Sequence, residues 1–212
     1  MPLRAAGVCG LLAPVTYLSA LLFGGLVQRE GFSNAEDSIS DLGADTASSA
    51  WIYNQIGTNL TGFLIVLFGL GLWRALSPDW VGCLGAGLLA LFGVALLLEG
   101  FLPLDCQGVD VACDNLSWQS DGHRWVSRVS STCLLLAPLV LALAFRRSPR
   151  WRDRWLPTLL VLPAFIAASI AFSAVGEGAA ARAAGAVWFL WVGLIAFRLL
   201  RLAERGGVRT AV

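Results

Sequence analysis

Lysine is absent from this 212-residue chain, and all 15 basic residues are arginine, a usage that reads as a GC-rich genome more than as a mechanism. Charge of either sign is scarce: 14% of residues are charged against 57% hydrophobic, and the mean hydropathy is +0.72. An ordinary soluble domain carries about 25% charged residues, so this deficit excludes the soluble class and points to an integral membrane protein. Histidine occurs once, at His123, which excludes haem ligation by paired helix histidines. No G-x-S-x-G nucleophile elbow is present, so a serine hydrolase is weakly determined from Ser38, Ser40, Ser127 or Ser130 with His123. Phosphate-binding glycine loops, nucleic-acid motifs and a cytoplasmic catalytic domain have no counterpart. No nucleic-acid partner is expected, and no cofactor is implied.

What the chain does have is apolar runs long enough to cross about 30 Å of hydrocarbon as helices, which satisfy their own backbone polar groups there. The runs and their flanks predict helices at about 6–28, 52–74, 81–102, 124–145, 155–175 and 182–201. The expectation is an all-α, single-domain bundle of six transmembrane helices over residues 1–212. The first run is read as a retained helix, because it is longer than a usual signal-peptide core and lacks a small-residue cleavage site before Gln28. The loops alternate in charge. Eleven arginines and three acids lie on the face that carries the termini and the connections around Ser77 and Arg150, against four arginines and eleven acids on the other. The positive-inside rule then puts both termini in the cytoplasm and the main polar loops outside the plasma membrane, in a bacterial cell. The basic stretch RRSPRWRDR reads as a topology determinant that contacts anionic lipid.

Outside, the segment REGFSNAEDSISDLGADTASSAW is too polar to span and suits a short surface helix, with Asn34 or Ser33 as its cap and Gly43 as its stop. Trp51, Tyr53, Trp80, Trp118, Trp125, Trp151 and Trp155 fit the interfacial aromatic belts. The segment Glu99 to Arg128 is the polar island of the chain and holds its only His and two of its five Cys. Cys106 and Cys113 lie on the expected oxidising face, where a disulfide closing the loop is expected. Zinc is the poorer alternative, because Cys106, Cys113 and His123 match no common zinc spacing, so no metal is assigned.

Helical spacing groups His123 with Ser127 and Ser130, and Arg124 with Arg128, on adjacent strips of helix 4. Arg128 then falls about one turn inside the membrane, where a charge needs a partner or a water-filled cavity. Glu99 is the natural partner, with Asp105, Glu177 and Asp41 competing. Arg124, Arg128 and Arg182 suit a lipid-headgroup phosphate, since guanidinium forks match its oxygens. His123 with Asp105 or Asp41 would supply general acid and base chemistry. Helix 2 is polar in its outer half, through Asn54, Gln55, Thr58, Asn59 and Thr61, and apolar in its inner half. That suggests a cavity open to the outside only and argues against a transporter with midplane sites.

Four motifs stand in order: SISDLGA after helix 1, Tyr53, Asn54, Gly57 and Gly62 opening helix 2, GFLPLD ending helix 3, and GHRW opening helix 4. Together they resemble the uncharacterised bacterial and archaeal membrane family DUF998, over nearly the whole chain. The matching residues are Ser38, Ser40, Asp41, Gly43, Tyr53, Asn54, Gly57, Pro103, Asp105, His123 and Arg124. The resemblance implies a multi-helix membrane protein and no established activity. More distantly, S-x-S-D-x-G looks like the FRAG/DRAM/SFK-type membrane proteins, some of them linked to lipid remodelling or distribution.

The expected site is therefore an outer-face polar pocket of Ser40, Asp41, Asn54, Glu99, Asp105, His123, Arg124, Arg128 and Arg182 that binds a lipid headgroup or small ligand. Two rival readings stand beside it. One is a membrane-embedded lipid-modifying enzyme using His123 with Asp41 or Asp105; the other is a structural subunit, as a homo-oligomer or within a membrane complex, in which the cluster is an ion-paired plug.

Overall fold

A computed structural model describes residues 1–209 of the chain. Six helices are long and apolar enough to cross a membrane. They are α1 (Leu3–Leu26), the continuous helical segment Ile52–Leu76 whose second half is α2 (Thr61–Leu76), α3 (Trp80–Glu99), α4 (Trp118–Arg147), α5 (Trp155–Ser173) and α6 (Glu177–Arg209). Among the described residues there is no strand. The chain is a multi-pass helical membrane protein.

Local chemistry sets several helix starts. Asp79 caps α3 by accepting from the backbone N–H groups of Val81 and Gly82 at 3.3 and 3.2 Å, and Ser117 caps α4 by accepting from Ser120 N–H at 3.1 Å. Both satisfy donors that the first turn of a helix leaves free. The Ser117 cap lets α4 begin at Trp118, six residues before the expected start at 124. Helix α6 likewise begins at Glu177 rather than 182, because the loop before α2 supplies a partner: Ala179 N–H donates to Ala35 O at 2.8 Å.

The surface helix expected over AEDSISDL does not form. Ser33 Oγ accepts from Ala35 and Glu36 N–H, at 3.3 Å each, for a single turn, and a short 3₁₀ helix follows at Ser40–Gly43. The polar outer half of helix 2 is a π-helix, Ile52–Leu60, that runs directly into α2. Its wider spacing is visible in the side chains, since Thr61 Oγ1 donates to Ile56 O, five residues back, at 3.0 Å.

α1 packs on α2 and α6, α3 on α2 and α4, and α5 on α4 and α6. Hydrocarbon tails are as apolar as leucine, so close packing rather than water exclusion holds such helices together. Gly62 and Gly93 show how: a Cβ at Gly62 would meet Gly93 O at 2.6 Å, and one at Gly93 would meet Val66 N at 2.7 Å. The backbones of α2 and α3 touch there without side chains between them. Helix α5 is the peripheral member, with 11% of its most apolar window buried against 44–56% for the others.

Of the aromatics expected at the interface, Trp51, Trp80, Trp118 and Trp125 are exposed, but Tyr53 and Trp151 are buried. Trp151 stacks on Phe145 with ring centroids 4.8 Å apart, and Tyr53 sits in the core beside Ala20 and Gly57. A ring next to a charged loop can be drawn inward by a packing partner far away in sequence, and position in the chain does not reveal that.

Candidate functional site

The polar residues of the chain converge at the end of the bundle formed by the 27–51 and 100–117 loops, hereafter the acidic face. Hydrogen bonds and an ion pair hold these loops together. Gln107, 1% exposed, donates through Nε2 to Gln28 Oε1 at 3.0 Å and to Asp41 O at 3.1 Å. Its Oε1 accepts from Arg29 Nε at 3.0 Å. Arg29 also pairs with Asp110, and Thr46 Oγ1 donates to Asp110 Oδ2 at 2.6 Å. Asp45 N–H donates to Leu104 O at 2.9 Å. Cys106 and Cys113 are bonded, with Cα atoms 6.2 Å apart, and the loop they close presents Gln107 to the other loop.

The carboxylates of this face divide by environment. Hydrogen bonds from the Ser117 hydroxyl and N–H hold Asp105 below the usual carboxylate range, and those from Thr46 and Arg29 do the same for Asp110. Asp41 is buried, accepts from Gly108 N–H at 3.2 Å, and is pushed up by loss of water.

Beneath the loops, His123 is 6% exposed. Its Nδ1 lies 2.8 Å from Leu102 O and its Nε2 lies 3.1 Å from Ser40 Oγ. A carbonyl only accepts, so Nδ1 carries the proton, Nε2 presents a lone pair, and the Ser40 hydroxyl donates to it. Neither Asp41 nor Asp105 makes the hydrogen bond to His123 that a His–Asp pair requires: Asp41 is turned to Gly108 and Asp105 to Ser117. Asn54 Nδ2 donates to Gly43 O at 2.8 Å, which fastens the Ser40–Gly43 turn to the π-helix.

The expected pairing of Glu99 with Arg128 is not formed. Glu99 is buried and accepts from Ser130 Oγ at 2.9 Å, tying α3 to α4. Arg128 is exposed and lies over the Trp125 ring at 4.7 Å. A helix rotates 100° per residue, so Arg128 and Ser130 point about 200° apart around α4. The seat facing Glu99 belongs to the serine. Arg124 also turns outward, to Asp121 and to Asn115 O, and joins neither His123 nor Glu99.

Arg182 behaves differently from both. Its Nη1 donates to Asp37 O at 3.0 Å, while Nε and Nη2 are buried and have no hydrogen-bond partner. Tyr17, Tyr53, Asp37 and Asp41 are ionisable groups near it, and among the described residues no carboxylate lies within ion-pair distance of it. Of the sequence-named site residues, then, Ser40 and His123 are brought together, and Asn54 and Asp41 brace the turn that carries Ser40. Glu99, buried, and Arg182, half-buried, lie apart from them, and Arg124 and Arg128 are excluded. Gln107 and Ser130 enter the cluster without having been singled out as its members. Only Ser130 carried a signal, its helical spacing from His123.

All four motif segments meet here: Ser40 and Gly43 of SISDLGA, Asn54 of the segment opening helix 2, Leu102 and Asp105 of GFLPLD, and His123 of GHRW. The family model for proteins of unknown function DUF998 matches residues 11–198. The chain belongs to the DUF998 family. No curated protein and no solved structure matches it. For this DUF998 protein the polar cluster is thus the meeting point of the segments that marked the resemblance, and the cleft of about 290 Å³ bordered by Ala75, Asp79, Arg150 and Trp151 lies at the other end of the bundle.

Proposed function

We propose that this protein binds a ligand bearing an oxyanion, the phosphate or carboxylate of a lipid headgroup or of a small soluble molecule, at Arg182 on the acidic face. One observation carries the reading: the Nε and Nη2 atoms of Arg182 are buried without a partner. Those two N–H groups are the parallel donors that take a carboxylate or phosphate bidentately. A buried donor left unmade costs about 1–3 kcal/mol, and more on a charged group, so the arrangement favours an occupant. The arginine-rich termini and connections support a topology with this face outside a bacterial plasma membrane, where outer-leaflet lipid is the nearest abundant source of such groups.

Native mass spectrometry of protein purified in mild detergent tests this. Wild type should retain a phosphate- or carboxylate-bearing species that Arg182→Gln loses at least 10-fold, and Arg182→Lys, which keeps the charge but not the fork, should retain it weakly. Inorganic phosphate added to delipidated protein separates the sources: a thermal shift with phosphate alone identifies a soluble ligand, and a shift only with phospholipid identifies a headgroup. Equal retention by wild type and Arg182→Gln, with both folded, would overturn the reading.

A further inference from the structure

Ser40 and His123 have the connectivity of an activated nucleophile, and the proposal above does not use it. Three residues in a row define it: Ser40 Oγ lies 3.1 Å from His123 Nε2, and His123 Nδ1 lies 2.8 Å from Leu102 O. A nucleophile within reach of a base, with the base held by a third group, is the diagnostic pattern of covalent catalysis on any fold. The tautomer is the competent one, because the Leu102 carbonyl forces the proton onto Nδ1. Ser40 is half-buried while His123 is buried beneath it, so the serine is the more exposed member of the pair. The turn is held in place from outside the pair, by Asn54 on Gly43 O and by Gln107 on Asp41 O.

We infer that Ser40 is an acyl-accepting nucleophile, with His123 as its general base, acting on a carboxylic ester of a membrane lipid. Ester is the class that the machinery fits: Ser40 Oγ bonds to the acyl carbon while its proton moves to His123 Nε2. The ester C–O bond then breaks, and the leaving alcohol takes that proton. Water next attacks the acyl-serine, gives a proton to His123, and the serine recovers it as the fatty acid departs. Lipid is indicated by position. His123 stands about one and a half turns into α4, at one end of a membrane-long helix, between exposed Trp118 and Trp125; such rings favour the membrane interface, the boundary between headgroups and acyl chains where lipid esters lie. A carbonyl in place of a carboxylate behind the histidine orients the ring without neutralising an imidazolium, so turnover is slow compared with an Asp-backed triad. The nucleophile stands on Ser40 and His123 alone; only the choice of lipid rests on the membrane setting that also supports the headgroup reading.

A fluorophosphonate probe tests the nucleophile. Full-length protein in phospholipid nanodiscs is labelled and the adduct is mapped by peptide mass spectrometry. Wild type should carry the adduct on Ser40. His123→Asn, whose amide N–H can still reach Leu102 O but offers no base, should label at least about 100-fold more slowly, and Ser127→Ala should label as wild type does. No adduct on Ser40 in folded wild type, or equal labelling of folded His123→Asn, overturns the inference. Fatty acid released from the nanodisc lipids by wild type and not by Ser40→Ala is the expected turnover; release absent or equal in both overturns the substrate class. The headgroup reading fails separately: an adduct on Ser40 with no Arg182-dependent ligand would end that reading and leave the serine standing.

Discussion

The two ends of the bundle solve the same problem in different ways. At the arginine-rich end the interior is aromatic and aliphatic. Phe68, Leu72, Phe145 and Trp151 are buried to 1% exposure or less, Phe68 lies against Gly10 of α1, and Arg198 binds Asp153 at 3.1 Å and Arg150 O at 2.7 Å from the surface. At the acidic end the interior carries separate hydrogen-bonded polar groups: Gln107 on Asp41 O, Asn54 on Gly43 O, Ser40 on His123 and Ser130 on Glu99. A membrane interior penalises unmade polar contacts severely, so an end that only had to pack would resemble the arginine-rich one. The acidic end accepts buried polar groups and a π-helix, a feature that recurs at functional sites. It also holds Arg182, whose two buried unpaired nitrogens have no carboxylate beside them among the described residues, whereas Arg154 and Arg198 at the other end leave one nitrogen each unpaired and bind Asp153.

The largest effect expected from this contrast is at the arginine-rich end. Phe68→Ala removes a fully buried ring from a seam with no room to collapse and should cost about 3–5 kcal/mol, read as a lowered thermal midpoint in detergent. A loss under about 1 kcal/mol would mean that this end is not the packed foundation of the fold.

Acid should act at the other end, and locally. Asp105 and Asp110 have lowered pKa values in the folded protein, so the order they contribute is complete above about pH 4 and lost as the pH falls through their lowered values. Asp41 is raised, so its cost of burial as a carboxylate is relieved earlier in the descent. Hydrogen-exchange protection of residues 100–117, corrected for intrinsic rates, should hold or rise slightly down to about pH 4 and collapse below it, with the Phe68 region unchanged. Simultaneous loss at both ends would erase the distinction.

The smallest effect is the most discriminating for the ion-pair plug. Arg128→Ala should change stability by about 0.5 kcal/mol or less, because an exposed arginine over a tryptophan ring contributes little. A loss of several kcal/mol would restore the pairing with Glu99 that the side-chain directions deny.

Much of the fold was legible because its causes are local. Six apolar runs specify six spans by length alone, and Cys106 and Cys113 are close enough in the chain to meet in one loop. The early start of α4 was hidden: Trp118 to Arg124 is polar, and its helix depends on the Ser117 cap and on Asp105 accepting from it. The site was legible as a list of residues but not as a set of contacts. His123, Ser40 and Leu102 come from three separate segments, and nothing in the spacing of any one of them says that His123 meets a serine and a carbonyl instead of an aspartate.

Hydropathy, charge asymmetry and motif order, which are properties of residues read one after another, determined by themselves that this is a six-span membrane protein with a polar end and an apolar end. Which arginine keeps two buried nitrogens unpaired, which polar residue faces Glu99 and which group orients His123 were decided only by the tertiary structure. Helix rotation and loop packing choose among neighbours one or two residues apart, and a shift of one residue turns a side chain by about 100°.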